Sequence, residues 1–205
     1  MRILATHRAL FGESGGRARG ARSMSEADIQ RVVNVFESCR AEWALVGAHA
    51  IGLVTEPRAT EDFEFVVEGK KLSAVLRALT KEFGELRETD IGAAVQLKAI
   101  DVDLIRSTTH PLFAAALQHA RSIDRWRVPR TEVLIVLKFL SAVSPVRNRR
   151  KRRQDVTDLA YAYEVAAPSL DRALMMTLSK LVYPGAEAEF RELLDKLDRD
   201  EPITI

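Results

Sequence analysis

An extended chain sends alternate side chains to opposite faces. In RATEDFEFVV (58–67), Asp62 and Glu64 therefore share one side of a strand, and Phe63, Phe65 and Val67 share the other. The apolar side asks for a core. The acidic side sets two carboxylates next to each other, where they repel unless a cation lies between them. IDVDLIRS (100–107) repeats the pattern, with Asp101 and Asp103 alternating with Ile100, Val102 and Leu104. If these strands are neighbours, their carboxylates crowd one patch. Such a patch suits a hard cation. Magnesium takes oxygen ligands and usually keeps water and substrate phosphate in its shell, and a pair of such ions can clamp an in-line phosphoryl displacement.

The rest of the chain gives that patch a setting. With 205 residues, it is long enough for one larger domain or two small ones. Its single cysteine, Cys39, excludes an intrachain disulfide framework and a cysteine-rich zinc site, and fits a reducing, cytoplasmic setting. A net charge of +2 is only mildly basic, so an argument for a nucleic-acid partner must rest on where the charge lies. No apolar run is long enough to span a bilayer, and no membrane partner is expected. Residues 1–24 are arginine- and glycine-rich and read as a flexible basic tail, with a phosphate-touching arm as the sharper alternative.

Ser25 with Asp28 forms a capping-box pattern ahead of a helix whose inner face is Ile29, Val32, Val33 and Phe36. WALVG (43–47) is a short buried strand, AHAIGLV a short helix, and Glu56-Pro57 a breaker. After the acidic strand, Leu72, Val75, Leu76, Leu79 and Phe83 recur at helical spacing. AAVQLKA (93–99) and IDVDLIRS are strands, a short helix follows His110-Pro111, and SIDRWRV is a single edge strand. Beyond Pro129 the pattern is helical: one helix capped by Thr131, then helices near 149–166, 170–182 and 186–197. This divides the chain into a mixed α/β part, 25–129, and a helical part, 130–205.

Gly47 lies at a strand-to-helix junction. A glycine there lets backbone approach a ligand, and the helix start offers free amides to phosphate. Gly-Ala, thirteen residues, Asp-apolar-Glu-apolar and a later apolar-Asp-apolar strand together resemble the nucleotidyltransferase superfamily that includes DNA polymerase beta. Within it, VGAHAIGLVTEPRATEDFEFVV, TEVLIVLKFLSAV and RRQDVTDLAYAYE resemble the AbiEii/MenT-like branch, and the likeness spans about Trp43 to Glu164.

The resemblance implies an α/β (α+β) nucleotidyltransferase fold: a small mixed sheet followed by a C-terminal helical region. It implies that Asp62, Glu64 and Asp103 are catalytic and hold two Mg2+ ions, with Asp103 preferred over Asp101. It implies that Gly47 and Ala48 cradle the triphosphate of an NTP, that Arg58 and Thr60 position the acidic strand or touch phosphate, that Lys138 reaches the phosphates, and that Asp155 sits near the same cleft. Asp158 reads as structural. Ala48 stands where Gly or Ser is usual, and Glu64 where Asp is commoner.

The implied activity is NMP transfer from an NTP to an acceptor hydroxyl. The resemblance offers a tRNA end or other RNA as acceptor, in a toxin with a cognate antitoxin protein. The alternatives are a non-catalytic nucleotide- or RNA-binding module, and transfer to a small-molecule antibiotic. RNRRKRR (147–153), six cations in seven residues, reads either as a solvated helix start or as a phosphate-binding patch. His49 reads as a packing residue.

Overall fold

The computed structural model describes residues 24–60 and 62–203. The basic tail therefore lies outside the described residues, except for Met24. Helix α1 (Glu26–Ser38) starts on the expected capping box: the Asp28 amide donates to Ser25 Oγ, and the Ser25 amide donates back to Asp28 Oδ2. This satisfies two amides that the first helical turn leaves open. Ile29, Val32, Val33 and Phe36 are buried, as their spacing requires.

The central sheet has the order β1-β2-β5-β4-β3. Its strands are β1 (Trp43–Val46), β2 (Phe63–Val67), β3 (Glu88–Asp90), β4 (Ala94–Leu97) and β5 (Val102–Arg106). β2 and β5 run parallel, and every other pairing is antiparallel, so the sheet is mixed. Between them lie α2 (Gly47–Val54), directly after β1, and α3 (Leu72–Phe83). Phe36, Trp43 and Phe65 make a tilted and edge-to-face cluster with ring centroids 5.2–5.8 Å apart. This cluster is what the apolar side of the acidic strand packs into.

Three local expectations are corrected. SIDRWRV is not one strand. Asp124, at φ 52°, turns the chain, and β6 (Ala120–Ile123) pairs with β7 (Trp126–Pro129) in a separate hairpin. A short polar residue tolerates that left-handed turn, and the turn lets Trp126 and Val128 bury. Thr131 is not a cap: it is the first residue of α5 (Thr131–Val143), behind an N-cap Arg130 that supplies no side-chain hydrogen bond. Asp101 does not stand on a strand face. It occupies a left-handed turn at φ 47°, and its carbonyl accepts from the Phe63 amide. β3 has no counterpart in the sequence pattern, since three largely exposed residues carry no apolar alternation.

Helix α4 (Pro111–Gln118) begins at an N-cap His110 whose Nδ1 accepts from the Leu112 amide. α5 is buried on nearly all sides and forms the axis of the helical region. Helix α6 (Arg149–Ala166) lies along it, and α7 (Arg172–Ser179) and α8 (Ala186–Asp198) complete the layer. One apolar core runs from Met24 through the sheet to Leu194. No helix among the described residues is long and apolar enough to cross a membrane.

Candidate functional site

Parallel pairing of β2 with β5 puts Glu64 directly opposite Asp103. Direct neighbours in a ladder lie on the same face of the sheet. The two acids are thus brought side by side although thirty-nine positions separate them in the sequence. Burial pushes the affinity of both for a proton above the ordinary carboxylate range, and the Asp62 charge adds to the push on each. Lys138 and Arg147 oppose the shift at Glu64. At Asp103 a hydrogen bond from Gln96 Nε2, 3.0 Å, opposes it. Gln96 sits opposite Asp103 on β4. Its one signal in the sequence is a lone polar residue in the apolar run AAVQLKA, too weak to mark it as a site residue.

Gly47 has φ 68°, a left-handed conformation that favours glycine. The position has a second reason to lack a side chain. A Cβ there would fall 1.8 Å from Oε2 of Glu64 and 2.8 Å from its Cδ. The glycine is the seat of the Glu64 carboxylate. Ala48, one residue on, faces elsewhere and lines a groove of about 260 Å3 with Arg58, Gln154 and Asp158.

Lys138 is placed differently from a freely reaching phosphate contact. Its ammonium is buried, 2.9 Å from Asp155 and 2.7 Å from Asp158. Burial alone would favour neutral lysine, but Asp155, Asp158 and Glu64 together hold it charged. Asp155 is buried, with both oxygens engaged: Lys138 and Arg147 donate to Oδ1, and Arg147 Nε donates to Oδ2. Arg58 reaches across the fold and binds Asp158 with Nε and Nη2, at 2.8 and 2.9 Å. The Asp158 carboxyl is taken out of water, yet Arg58, Lys138 and Gln154 hold its pKa below the ordinary value. This network ties the segment before β2 to α5 and α6.

Thr60 donates to Asp62 Oδ1 at 3.1 Å, so it positions the first acid of the motif. Asp62 itself is exposed, one residue ahead of β2. His49 is buried and stacks on Phe63 at 3.7 Å with its ring nearly parallel. Burial pushes its pKa down to about 4, so the ring is a neutral packing group at neutral pH.

The Glu64 carboxylate, Gly47, Lys138, Ser141 and Arg147 border a narrow gap of about 50 Å3 whose far wall is apolar. Through Phe113, Ser141 and Arg147 the gap adjoins a cavity of about 480 Å3, which His110, Asn148 and Lys151 also line. The Lys151 charge acts on Asp103. The first turn of α6 carries cations and no acid, against the preference of a helix N-terminus for negative charge. Arg149, Arg150 and Arg153 are exposed and make no ion pair among the described residues.

The donor set is chemically suited to magnesium: oxygen-only ligands, two of them adjacent, with proton affinities raised by burial and by the neighbouring Asp62 charge. Asp62 stands at the mouth of β2 and acts on both electrostatically. Among the described residues, no three carboxylate, histidine or cysteine side chains are gathered into a closed ligand set. Asp62 is exposed and takes a hydrogen bond from Thr60.

The fold is a mixed α/β nucleotidyltransferase fold with a C-terminal helical region. ANT(2")-Ia in complex with adenylyl-2"-tobramycin shares it: that structure is 19% identical, the match covers 80% of this chain and 95% of that one, and the TM-score is 0.50. The solution structure of antibiotic-resistance factor ANT(2'')-Ia matches over 84% of this chain and 94% of its own, at 17% identity and TM-score 0.49. An antigenic nucleotidyltransferase-like protein from Paracoccidioides brasiliensis matches over 85% and 94%, at 16% identity and TM-score 0.48. No family model and no curated protein matches the chain.

Proposed function

We propose that the protein is a metal-dependent nucleotidyltransferase that moves a nucleoside monophosphate from an NTP to an acceptor hydroxyl and releases pyrophosphate. The observation that carries this reading is the register pairing of Glu64 with Asp103 beside Gly47, with Asp62 at the strand mouth and a cationic lip opposite. Asp62, Glu64 and Asp103 would hold Mg2+, which supplies charge neutralisation at the transferring phosphate. Asp103, the less enclosed of the paired acids, would accept the proton of the attacking hydroxyl. Gly47 and the amides at the start of α2 would face the phosphates, and Arg147 and Lys151 would balance their charge. In this scheme Lys138, Arg58 and Asp155 act indirectly, by fixing the helices and the acidic strand.

The acceptor we favour is an RNA end, tRNA included, which fits a toxin with a cognate antitoxin protein. The support is the cationic run on α6, without ion pairs among the described residues, whose Lys151 lines the same cavity and which suits a phosphate backbone. The same run disfavours a cationic small-molecule acceptor, which like charge would repel. A transfer assay with each of four labelled NTPs, divalent metal, and RNA or protein acceptors tests the proposal. Absence of transfer from every NTP would overturn it.

A second reading is a nucleotide- or RNA-binding module without turnover. It is favoured by Ala48 and Glu64, which depart from the usual residues of the motif, and by the Glu64 carboxylate being seated against Gly47. Calorimetry separates the two: the module binds NTP or RNA with little loss on Asp62→Asn.

A further inference from the structure

A cavity at the other end of α5 has no part in the site described above. It measures about 550 Å3, within the range of small-ligand pockets. The end of α4, the start of β6, the first turn of α5 and the 3-10 turn near Ser169 enclose it. Thr131 lies seven residues before Lys138 on α5, so the cavity is about 10 Å along the helix axis from the buried lysine.

Four observations point to the chemistry of its occupant. α5 is thirteen residues long and its N-cap, Arg130, offers no side-chain acceptor. The Val133 and Leu134 amides bond to the Arg130 carbonyl, but the Thr131 amide has no partner among the described residues. Thr131 is 8% exposed, lines the cavity, and its hydroxyl also makes no hydrogen bond among the described residues. The residue is buried, but its hydroxyl keeps some accessible surface and is open to a ligand. Arg121 is exposed on the rim and enters no ion pair among the described residues.

The acid of the cavity is already occupied. Glu132 accepts from Arg130 Nε and Nη2, at 3.2 and 2.8 Å, and from the Asp171 amide at 3.0 Å. Arg130 in turn is fixed with its Nη1 unengaged among the described residues. The open groups are therefore donors: one helix amide, one hydroxyl, the Arg121 guanidinium and Nη1 of Arg130. Asp171 Oδ2 lies farther from Arg130 Nη2 than Glu132 does, at 3.8 Å, and its other oxygen caps the Leu174 amide.

We infer that the cavity at the start of α5, where the unpartnered Thr131 hydroxyl and amide meet Arg130 and Arg121, binds the phosphate group of a small phosphomonoester. An uncapped helix start favours a bound anion, and the Arg121 guanidinium can match phosphate oxygens in a forked geometry while Arg130 adds Nη1. The volume exceeds that of phosphate alone, so the ligand carries a polar body against Gln118, His119 and Ser169. The inference does not depend on nucleotidyl transfer.

The test is amide NMR of the full chain titrated with inorganic phosphate and with glycerol phosphate. Saturable shifts at Thr131 and Glu132, with tighter binding of glycerol phosphate, are expected. Arg121→Ala should weaken binding about tenfold, the scale of one charge-assisted hydrogen bond. Thr131→Val should weaken it further with an otherwise native spectrum, and Asp103→Asn should leave it unchanged. Shifts confined to Gly47 and Lys151, no shift at Thr131, or insensitivity to both cavity variants would overturn the inference.

Discussion

The Glu64 carboxylate rests on the Cα of Gly47, so close that a methyl group on the glycine would fall 1.8 Å from Oε2. The glycine that the motif places at the strand-to-helix junction therefore serves the acid as well as any phosphate. Gly47→Ala is expected to displace Glu64 and to strain the φ 68° backbone, at about 1–2 kcal/mol for the backbone alone. Thermal unfolding reads the cost. A variant as stable as the parent, with Glu64 unmoved in its structure, would contradict this account.

Lys138→Met should destabilise the fold severely, by about 3–5 kcal/mol, because it strands the buried carboxylates of Asp155 and Asp158. Combining it with Asp155→Leu and Asp158→Leu should recover part of the loss. Denaturant titration checks this. If Lys138→Met keeps its stability and loses only NTP affinity, the lysine is a phosphate contact and not a clamp.

The two groups of acids respond to pH with opposite sign. Asp158 has its pKa lowered, so its contribution is present above the ordinary value of 3.8 and is lost as pH falls through the lower folded value. Asp103 has its pKa raised, so the folded state binds its proton more tightly and loses stability as pH rises from 3.8 through the raised value. Asp103→Asn should accordingly raise the Tm at pH 7 and flatten the mildly acidic limb, while Asp158→Asn should lower the Tm at pH 7. A calorimetric pH series distinguishes them.

Divalent metal is expected to stabilise the chain, since a ligand held only by the folded state adds RT ln(1 + [L]/Kd). Mg2+ or Mn2+ at saturation should raise the Tm of the parent, and the rise should vanish in Asp103→Asn and Glu64→Gln. The same variants should reduce nucleotidyl transfer at least about a hundredfold. An equal metal-induced shift in parent and variants would remove these acids from the metal site.

Replacing Arg149, Arg150 and Arg153 with Ser should weaken RNA binding and make log K fall less steeply with log salt, by about one unit of slope for each phosphate no longer neutralised. Filter binding at several salt concentrations measures it. An unchanged slope would assign the run to solvation alone.

Much of this molecule is written in local patterns. The period-two alternation of FEFVV and the helical spacing of Leu72, Val75 and Leu79 fix strand and helix, because burial of one face is a short-range requirement. The Ser25–Asp28 box sets a helix start for the same reason, within one turn of chain. The Gly47 and Asp-apolar-Glu spacing marks the junction and the acidic strand. Where local rules compete, the pattern misleads: Asp124 turns one expected strand into a hairpin, and Thr131 enters α5 instead of capping it.

Tertiary structure alone decided the partners. Nothing in the spacing of Glu64 and Asp103 makes them ladder neighbours; the parallel crossover does. Lys138 reads as a reaching cation because sequence records its charge and not its surroundings, and only the packing of α5 on α6 puts Asp155 and Asp158 around it. Arg58 finds Asp158 a hundred positions away for the same reason. The sequence by itself determined which segments coil, extend and turn, since those choices rest on contacts a few residues apart. Which charges meet depends on how distant segments share one core, and that is settled only by the folded chain.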